Sequence, residues 1–198
     1  MRFISLDLEN NQPSGEIIQI GAVAFDTDDD TPLDEFQHFV NPGEPINWNH
    51  ELRPEKEIGC TLGELLPFDQ NEFNAYKRDP KEVLEEFWAW VKKAQCGKKI
   101  IQWGSGDLDC LIKASKKHGV RYPHQLRSIN LKTFYQFVYQ PAMRLPKGYG
   151  LGTVVKNTTG SFYGEPHDAY WDAYNTGKVL IYLFRRMEKL GQIEKIMS

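Results

Sequence analysis

Three observations predict an α/β layered architecture with a mixed central sheet: an opening series of strand-like segments, a later alternation of helical and strand-like segments, and a long amphipathic stretch near the end of the chain. Residues 3–8 alternate as a strand does, and Ile17-Ile18-Gln19-Ile20-Gly21-Ala22-Val23-Ala24-Phe25 is apolar on both faces, the mark of a central strand. Residues 26–32 carry turn chemistry and 36–40 supply a third strand, which completes an antiparallel meander closed by Asn41-Pro42-Gly43. Residues 44–74 contain Pro45, Pro54 and Pro67 without lasting periodicity, and an irregular excursion with short helical turns is expected there. Asp79-Pro80 then reads as an N-cap with proline at the first helical position, and Val83, Leu84, Phe87, Trp88 and Val91 follow at helical spacing. Residues 98–103 form a short strand and 106–118 a helix, an order that implies a parallel crossover. A last strand over 127–131, helices over 132–139 and 150–157, and the amphipathic helix over 168–190 complete the elements.

The chain has 198 residues, 40% hydrophobic and 26% charged, which fits one globular domain over 1–198 and excludes a disordered or collagen-like polymer. Asp7 and Glu9 precede any long apolar run, so neither a signal peptide nor a membrane span is expected, and a soluble, cytoplasmic protein is. Cys60, Cys96 and Cys110 are widely spaced and form no Cys-x-x-Cys pair, which argues against a disulfide framework or a zinc ribbon. The net charge of −3 hides an asymmetry. Between Cys110 and Gly164 there is no acid, and Lys113, Lys116, Lys117, Arg121, Arg127, Lys132, Arg144, Lys147 and Lys156 give that segment +9. The rest of the chain sets all 27 acids against 15 of the 24 lysines and arginines, a balance of −12. A basic block of this kind points to a polyanion contact or to a merely solvated face.

Several carboxylates stand where an apolar side chain would be usual. Strand alternation puts Phe3, Ser5, Asp7 and Glu9 on one face and Ile4, Leu6 and Leu8 on the other, so two acids stand about 7 Å apart side by side. Together they can hold a hard cation; solvated acids at a strand end are the alternative. In Gly106-Asp107-Leu108-Asp109-Cys110-Leu111, helical spacing turns Asp107 inward with Cys110, Leu111 and Ala114, while Asp109 faces out and can pair with Lys113. An N-cap role for Asp107 is the competing reading. On the last helix Ala169, Ala173, Thr176, Val179, Leu180, Leu183 and Met187 form the buried face, and Asp172 stands among them and needs a partner. His167, just ahead of that helix, is free of its register.

Asp7-x-Glu9, Asp107 and His167-x-Ala169-x-x-Asp172 resemble, in order and over most of the chain, the three motifs of the DEDDh (DnaQ-like) 3′–5′ exonuclease family of the ribonuclease H-like superfamily. The resemblance implies a three-layer ribonuclease H-like fold and two-metal hydrolysis of a 3′-terminal phosphodiester, with release of nucleoside 5′-monophosphates. It implies that Asp7, Glu9, Asp107 and Asp172 hold two Mg²⁺ or Mn²⁺ ions and that His167 is the general base. The Trp103-Gly104-x-x-Asp107 form of the middle motif is similar to that of the exoribonuclease branch. Expected substrate contacts are Leu8, Asn10, Lys132 and Lys147, with Trp48, Tyr149 and Tyr163 as candidate stacking residues. The expected partner is a single-stranded DNA or RNA 3′ end, with no membrane, and with homodimer or polymerase association open. An exonuclease-like module that binds without cleaving is the alternative from another class.

The chemistry suits these residues. Four carboxylates carry −4 and two divalent cations +4, so a loaded site accepts a phosphodiester that the bare acids repel. A histidine of unperturbed pKa about 6.5 suits a base that takes a proton from water near neutral pH. Asp26-x-Asp28-x-Asp30 opens like a calcium loop, but Thr31 and Gln37 stand where such a loop needs glycine and glutamate.

Overall fold

The computed structural model describes residues 1–52, 60–139 and 149–189. Five strands form one sheet in the order β3-β2-β1-β4-β5. β1 (Arg2–Asn10), β2 (Ile17–Asp26) and β3 (Asp34–Phe39) are the antiparallel meander, and β4 (Lys99–Gln102) and β5 (Arg127–Asn130) add in parallel beyond β1. Every residue of β2 but its last is buried, as its two-sided apolar sequence requires.

Alternation along β1 separates two cores. Ile4, Leu6 and Leu8 face α3 (Pro80–Lys93) and α4 (Asp107–Lys117), where they pack with Leu84, Phe87, Leu108 and Leu111. Phe3 faces the other way, into a core built with α5 (Leu131–Tyr139), α6 (Leu151–Thr158) and α7 (Ala169–Lys189). Helix, sheet and helix therefore form three layers, the ribonuclease H-like arrangement that the sequence implies. Asp79 caps α3 by accepting from the backbone N–H of Lys81 and Glu82 at 2.9 and 3.1 Å, ahead of Pro80 at the first turn.

The short helical turns expected in the excursion are two capped helices. Thr61 and Glu64 form a reciprocal capping box that starts α1 (Leu62–Leu65), and Asp69 caps α2 (Gln70–Tyr76). These short helices close over Ile18 in a third apolar cluster with Phe68 and Phe73. Trp48 belongs to it, its ring 6.2 and 6.3 Å from those of Phe68 and Phe73. Asn11, 2% exposed, clips the excursion to the end of β1: its amide donates to Glu44 at 2.7 Å and to the Pro45 carbonyl at 3.2 Å, and its oxygen accepts from the Asn47 N–H. Among the described residues no helix is long and apolar enough to cross a membrane.

Gly21 is the closest approach of helix to sheet. A Cβ there would lie 2.1 Å from the Ala169 carbonyl carbon and the Tyr170 nitrogen, so only hydrogen lets α7 start directly on β2. Gly21→Ala is expected to cost on the order of 3 kcal/mol or more, because the clash is with backbone and cannot be relieved by a rotamer. Gly152→Ala in α6, where nothing lies within 4 Å, is expected to stabilise by about 0.5–1 kcal/mol. Thermal unfolding of the two variants beside the parent checks both signs.

Candidate active site

Three segments bring the acids together. β1 presents Asp7 and Glu9 on the face that α7 covers, and Asp7 lies opposite Gly21 in the strand register. The chain leaves β4 at Gln102, turns through Gly104 and Gly106 at φ 108° and 121°, and enters α4 at Asp107. Gly106 occupies the cap position, so Asp107 is the first helical residue rather than the N-cap, and its carboxylate is left for the site. The orphan N–H of Leu108 is met instead by the buried Gln102 side chain at 3.2 Å. Asp109 is exposed as expected, but it makes no ion pair with Lys113 among the described residues, since exposed helical pairs gain little.

The third segment is the turn carrying His167, and it is held at three points. Gly164 lies against the Trp171 indole, so close that a Cβ would overlap the ring. Buried Asn175 donates to the Tyr163 and Trp171 carbonyls at 2.8 and 2.7 Å and accepts from the Tyr163 N–H at 3.0 Å. Asp168 caps α7 by accepting from the N–H of Tyr170 and Trp171 at 2.9 and 3.3 Å. Gln19 of β2 then fastens this start to the sheet: its amide donates to Asp168 at 3.1 Å and its oxygen accepts from the Ala169 N–H at 3.0 Å. Gln37 of β3 adds a bond to Asp168 at 3.2 Å. Between these anchors His167 has a left-handed backbone, φ 64°, which takes it out of the helical register.

The result is a pocket of like charge. One ligand atom each from Glu9, His167 and Asp172 lie within 4.8 Å of one another. Burial raises the Asp7 carboxyl well above the ordinary range, and Glu9, Asp172, Asp107 and Asp168 raise it further by their charge. Burial pushes Asp107 up to about 6. It pushes Asp172 up to about 7, helped by Asp168 and opposed by the His167 backbone N–H. One oxygen of Asp172 is buried with no hydrogen-bond partner among the described residues, a cost that a bound cation would remove. Oxygen donors, a high local negative charge and an unsatisfied buried oxygen fit Mg²⁺ or Mn²⁺.

The other expected contacts are more scattered. Leu8 is buried on the opposite face of β1, Asn10 has a buried side-chain oxygen with no hydrogen-bond partner among the described residues, and Lys132 is half-buried at the start of α5. Lys147 and Arg144 lie outside the described residues. The Trp103 indole donates to the Tyr149 carbonyl at 3.2 Å, and Tyr163 is 46% exposed with its ring against Tyr174. The basic segment is not one surface: Lys117 pairs with Glu16 at 2.8 Å, and Arg121 and Lys132 lie beyond opposite ends of β5. Sequence reasoning missed Asp168, Gln19 and Gln37. Asp168 was readable as a helix cap, and Gln19 as a polar residue inside an apolar strand, but their pairing spans 149 residues and has no local signal.

A scan against models of protein families finds no match, and neither does a search of curated proteins. Solved structures do match. The nuclease domain of 3′hExo, a DEDDh family member bound to rAMP, superposes with a TM-score of 0.69 at 17% identity, over 93% of this chain and 92% of that one. S. pombe Pop2p, in its Mg²⁺- and Mn²⁺-bound form, gives 0.62 at 15%, over 93% and 83%. E. coli Exonuclease I in complex with a dT13 oligonucleotide gives 0.66 at 13%, where 97% of this chain covers only 42% of that one. The chain shares the ribonuclease H-like fold of these structures.

Two predictions follow from the charge and the clamp. Asp7, Asp107 and Asp172 have folded-state pKa values raised above their unfolded ones, so the folded state binds more protons through the window from about 4 to about 7. Their contribution to stability is therefore lost as pH rises through that window. In metal-free buffer Asp7→Asn should melt higher than the parent at pH 8, whereas Mn²⁺ should raise the melting temperature of the parent more than that of the variant; differential scanning calorimetry reads both. Gln19→Leu should cost about 1–3 kcal/mol by stranding the buried Ala169 N–H, and Gln37→Ala, at an exposed bond, well under that, as denaturant titration would measure.

Proposed function

We propose that this protein is a metal-dependent 3′–5′ exonuclease that hydrolyses the terminal phosphodiester of single-stranded nucleic acid and releases nucleoside 5′-monophosphates. The observation that carries this reading is the convergence of Glu9, His167 and Asp172 within 4.8 Å, beside Asp7, whose carboxyl is raised by burial and by the neighbouring acids. Structures sharing the fold include one bound to rAMP and one holding dT13, which supports a nucleic-acid 3′ end as the ligand.

Asp7, Glu9, Asp107 and Asp172 would hold two divalent cations, whose charge, when bound, offsets that of the acids and the phosphodiester and favours ionisation of water. The neighbouring residues do the rest. His167, set outside the helical register by its left-handed backbone, takes the proton of the attacking water on its imidazole and returns it to solvent. The Asp168 clamp and the Asn175 staple keep that imidazole from drifting, which preserves the reacting geometry. Asn10 and Lys132 are the proposed side-chain contacts to the strand, joined by Lys147; Leu8, its side chain committed to the core, offers its main chain.

Incubation with 5′-labelled DNA and RNA oligomers of matched sequence, with Mg²⁺ or Mn²⁺, tests the proposal. Stepwise shortening from the 3′ end with mononucleotide release is expected, and the faster substrate names the sugar preference. Asp7→Asn should abolish turnover with the fold retained, and His167→Ala should slow it by about 10²-fold or more. Intact oligomers under both metals would refute the nuclease and leave a binding module.

A further inference from the structure

A broad concavity lies far from the carboxylates. It is a groove of about 950 Å³ between the last turns of α3 and the segment that joins α4 to β5. Lys98, on its edge, precedes β4, whereas Asp107 follows that strand, so the groove and the acids sit at opposite ends of the sheet, roughly 15 Å apart along the strand.

Its floor is mainly aliphatic, with Val91, Val120, Pro123 and Leu126 beside half-buried Tyr122. Trp88 stands behind them and is committed: its ring is 5% exposed, and its indole N–H donates at 2.8 Å to the buried Ser115 hydroxyl, which donates to the Leu111 carbonyl at 2.7 Å. The rim is cationic. Lys92, Lys98 and Arg121 have no acidic partner among the described residues, Lys98 donating only to the neutral Gln125 side chain at 2.7 Å. The one acid on the rim, Glu85, faces Lys81 at 4.0 Å. An apolar slot edged by three uncompensated cations is complementary to a ligand that is apolar in the middle and anionic at its sides.

We propose that this groove docks an acidic peptide segment of a protein partner, an extended stretch whose aliphatic side chains fill the floor and whose aspartates or glutamates meet Lys92, Lys98 and Arg121. A nucleic-acid strand is the other polyanion these cations attract. Its bases require open ring faces to stack on; Trp88 is 5% exposed with its donor occupied, and Tyr122, the other aromatic of the groove, is half-buried with its ring 6.1 Å from that of Trp88, so the floor suits an aliphatic side chain instead. A partner seated here leaves the carboxylate end of the sheet open, and the assignment does not rest on the nuclease reading.

The test is to pan a displayed library of random short peptides on the full-length protein and to measure binding of the enriched, fluorescein-labelled peptides by anisotropy. Acidic peptides with interspersed aliphatic residues are expected. Their affinity should fall about tenfold or more in the double variant Lys92→Glu/Arg121→Glu, and equally in Ala89→Trp, which fills the groove from an exposed helix position and leaves the core intact. Circular dichroism confirms that both variants fold, and their activity on labelled oligomers should match the parent's. Enriched peptides lacking acids, or binding unmoved by either variant, would overturn the proposal. So would a labelled oligonucleotide whose affinity for the Asp7→Asn protein drops with the same rim changes, because that result assigns the groove to nucleic acid.

Discussion

The seating of the α7 N-terminus on the middle of β2 is the constraint from which the rest of the site follows. Gly21 has no side chain because the Ala169 backbone occupies the place where one would be, and Gln19, two residues earlier on the same buried strand, bonds both the Asp168 carboxylate and the Ala169 N–H. One residue removes bulk and its neighbour supplies the polar attachment. Since Asp7 lies opposite Gly21 in the register, this single contact brings the helix bearing Asp172, and the turn bearing His167, over the acids of β1.

Gathering like charges in a desolvated place is unfavourable, and the structure offsets it elsewhere. β1 buries Phe3 on one face and Ile4, Leu6 and Leu8 on the other, while β2 is buried along almost its whole length. The acids occupy only the end of this frame, where three separate segments meet. Their rigidity comes from neutral or already charged groups that do not enter the site: Gln102 under the start of α4, Asn175 behind the His167 turn, and Gln37 on Asp168. These amides, buried at Gln102 and Asn175 and exposed at Gln37, hold position with directional bonds and add no charge, as befits a site whose own charge must be kept for a cation.

The two ends of the sheet have opposite character. Acids and a strained turn converge at one end, and an aliphatic slot with a cationic rim lies at the other. The +9 segment seen in the sequence reaches both, because Arg121 precedes β5 at the groove and Lys132 follows it at the start of α5. Its clustering in sequence is therefore not a single patch in space. Arg121 belongs to the remote groove, Lys117 is neutralised by Glu16, and Lys132 stands where β5 gives way to α5.

Periodicity and spacing alone determined the strand alternation that puts Asp7 and Glu9 on one face, the inward turn of Asp107, the place of Asp172 on the buried stripe of the last helix, and the order of strands and helices. These are local properties, written within a turn or two of chain, so a sequence displays them directly. The short helical turns expected in the proline-bearing excursion are α1 and α2, but their caps at Thr61 and Asp69 and the cluster completed by Ile18 from a distant strand are seen only in the fold. Only the tertiary structure decided that Gly106 rather than Asp107 caps α4, that Gln19 and Gln37 anchor Asp168, that half-buried Trp48 packs against an aromatic cluster, and that the described part of the basic segment divides. The physical reason is common to all of them. Each depends on which distant groups meet across the sheet, and contact at a separation of 149 residues leaves no periodic trace along the chain.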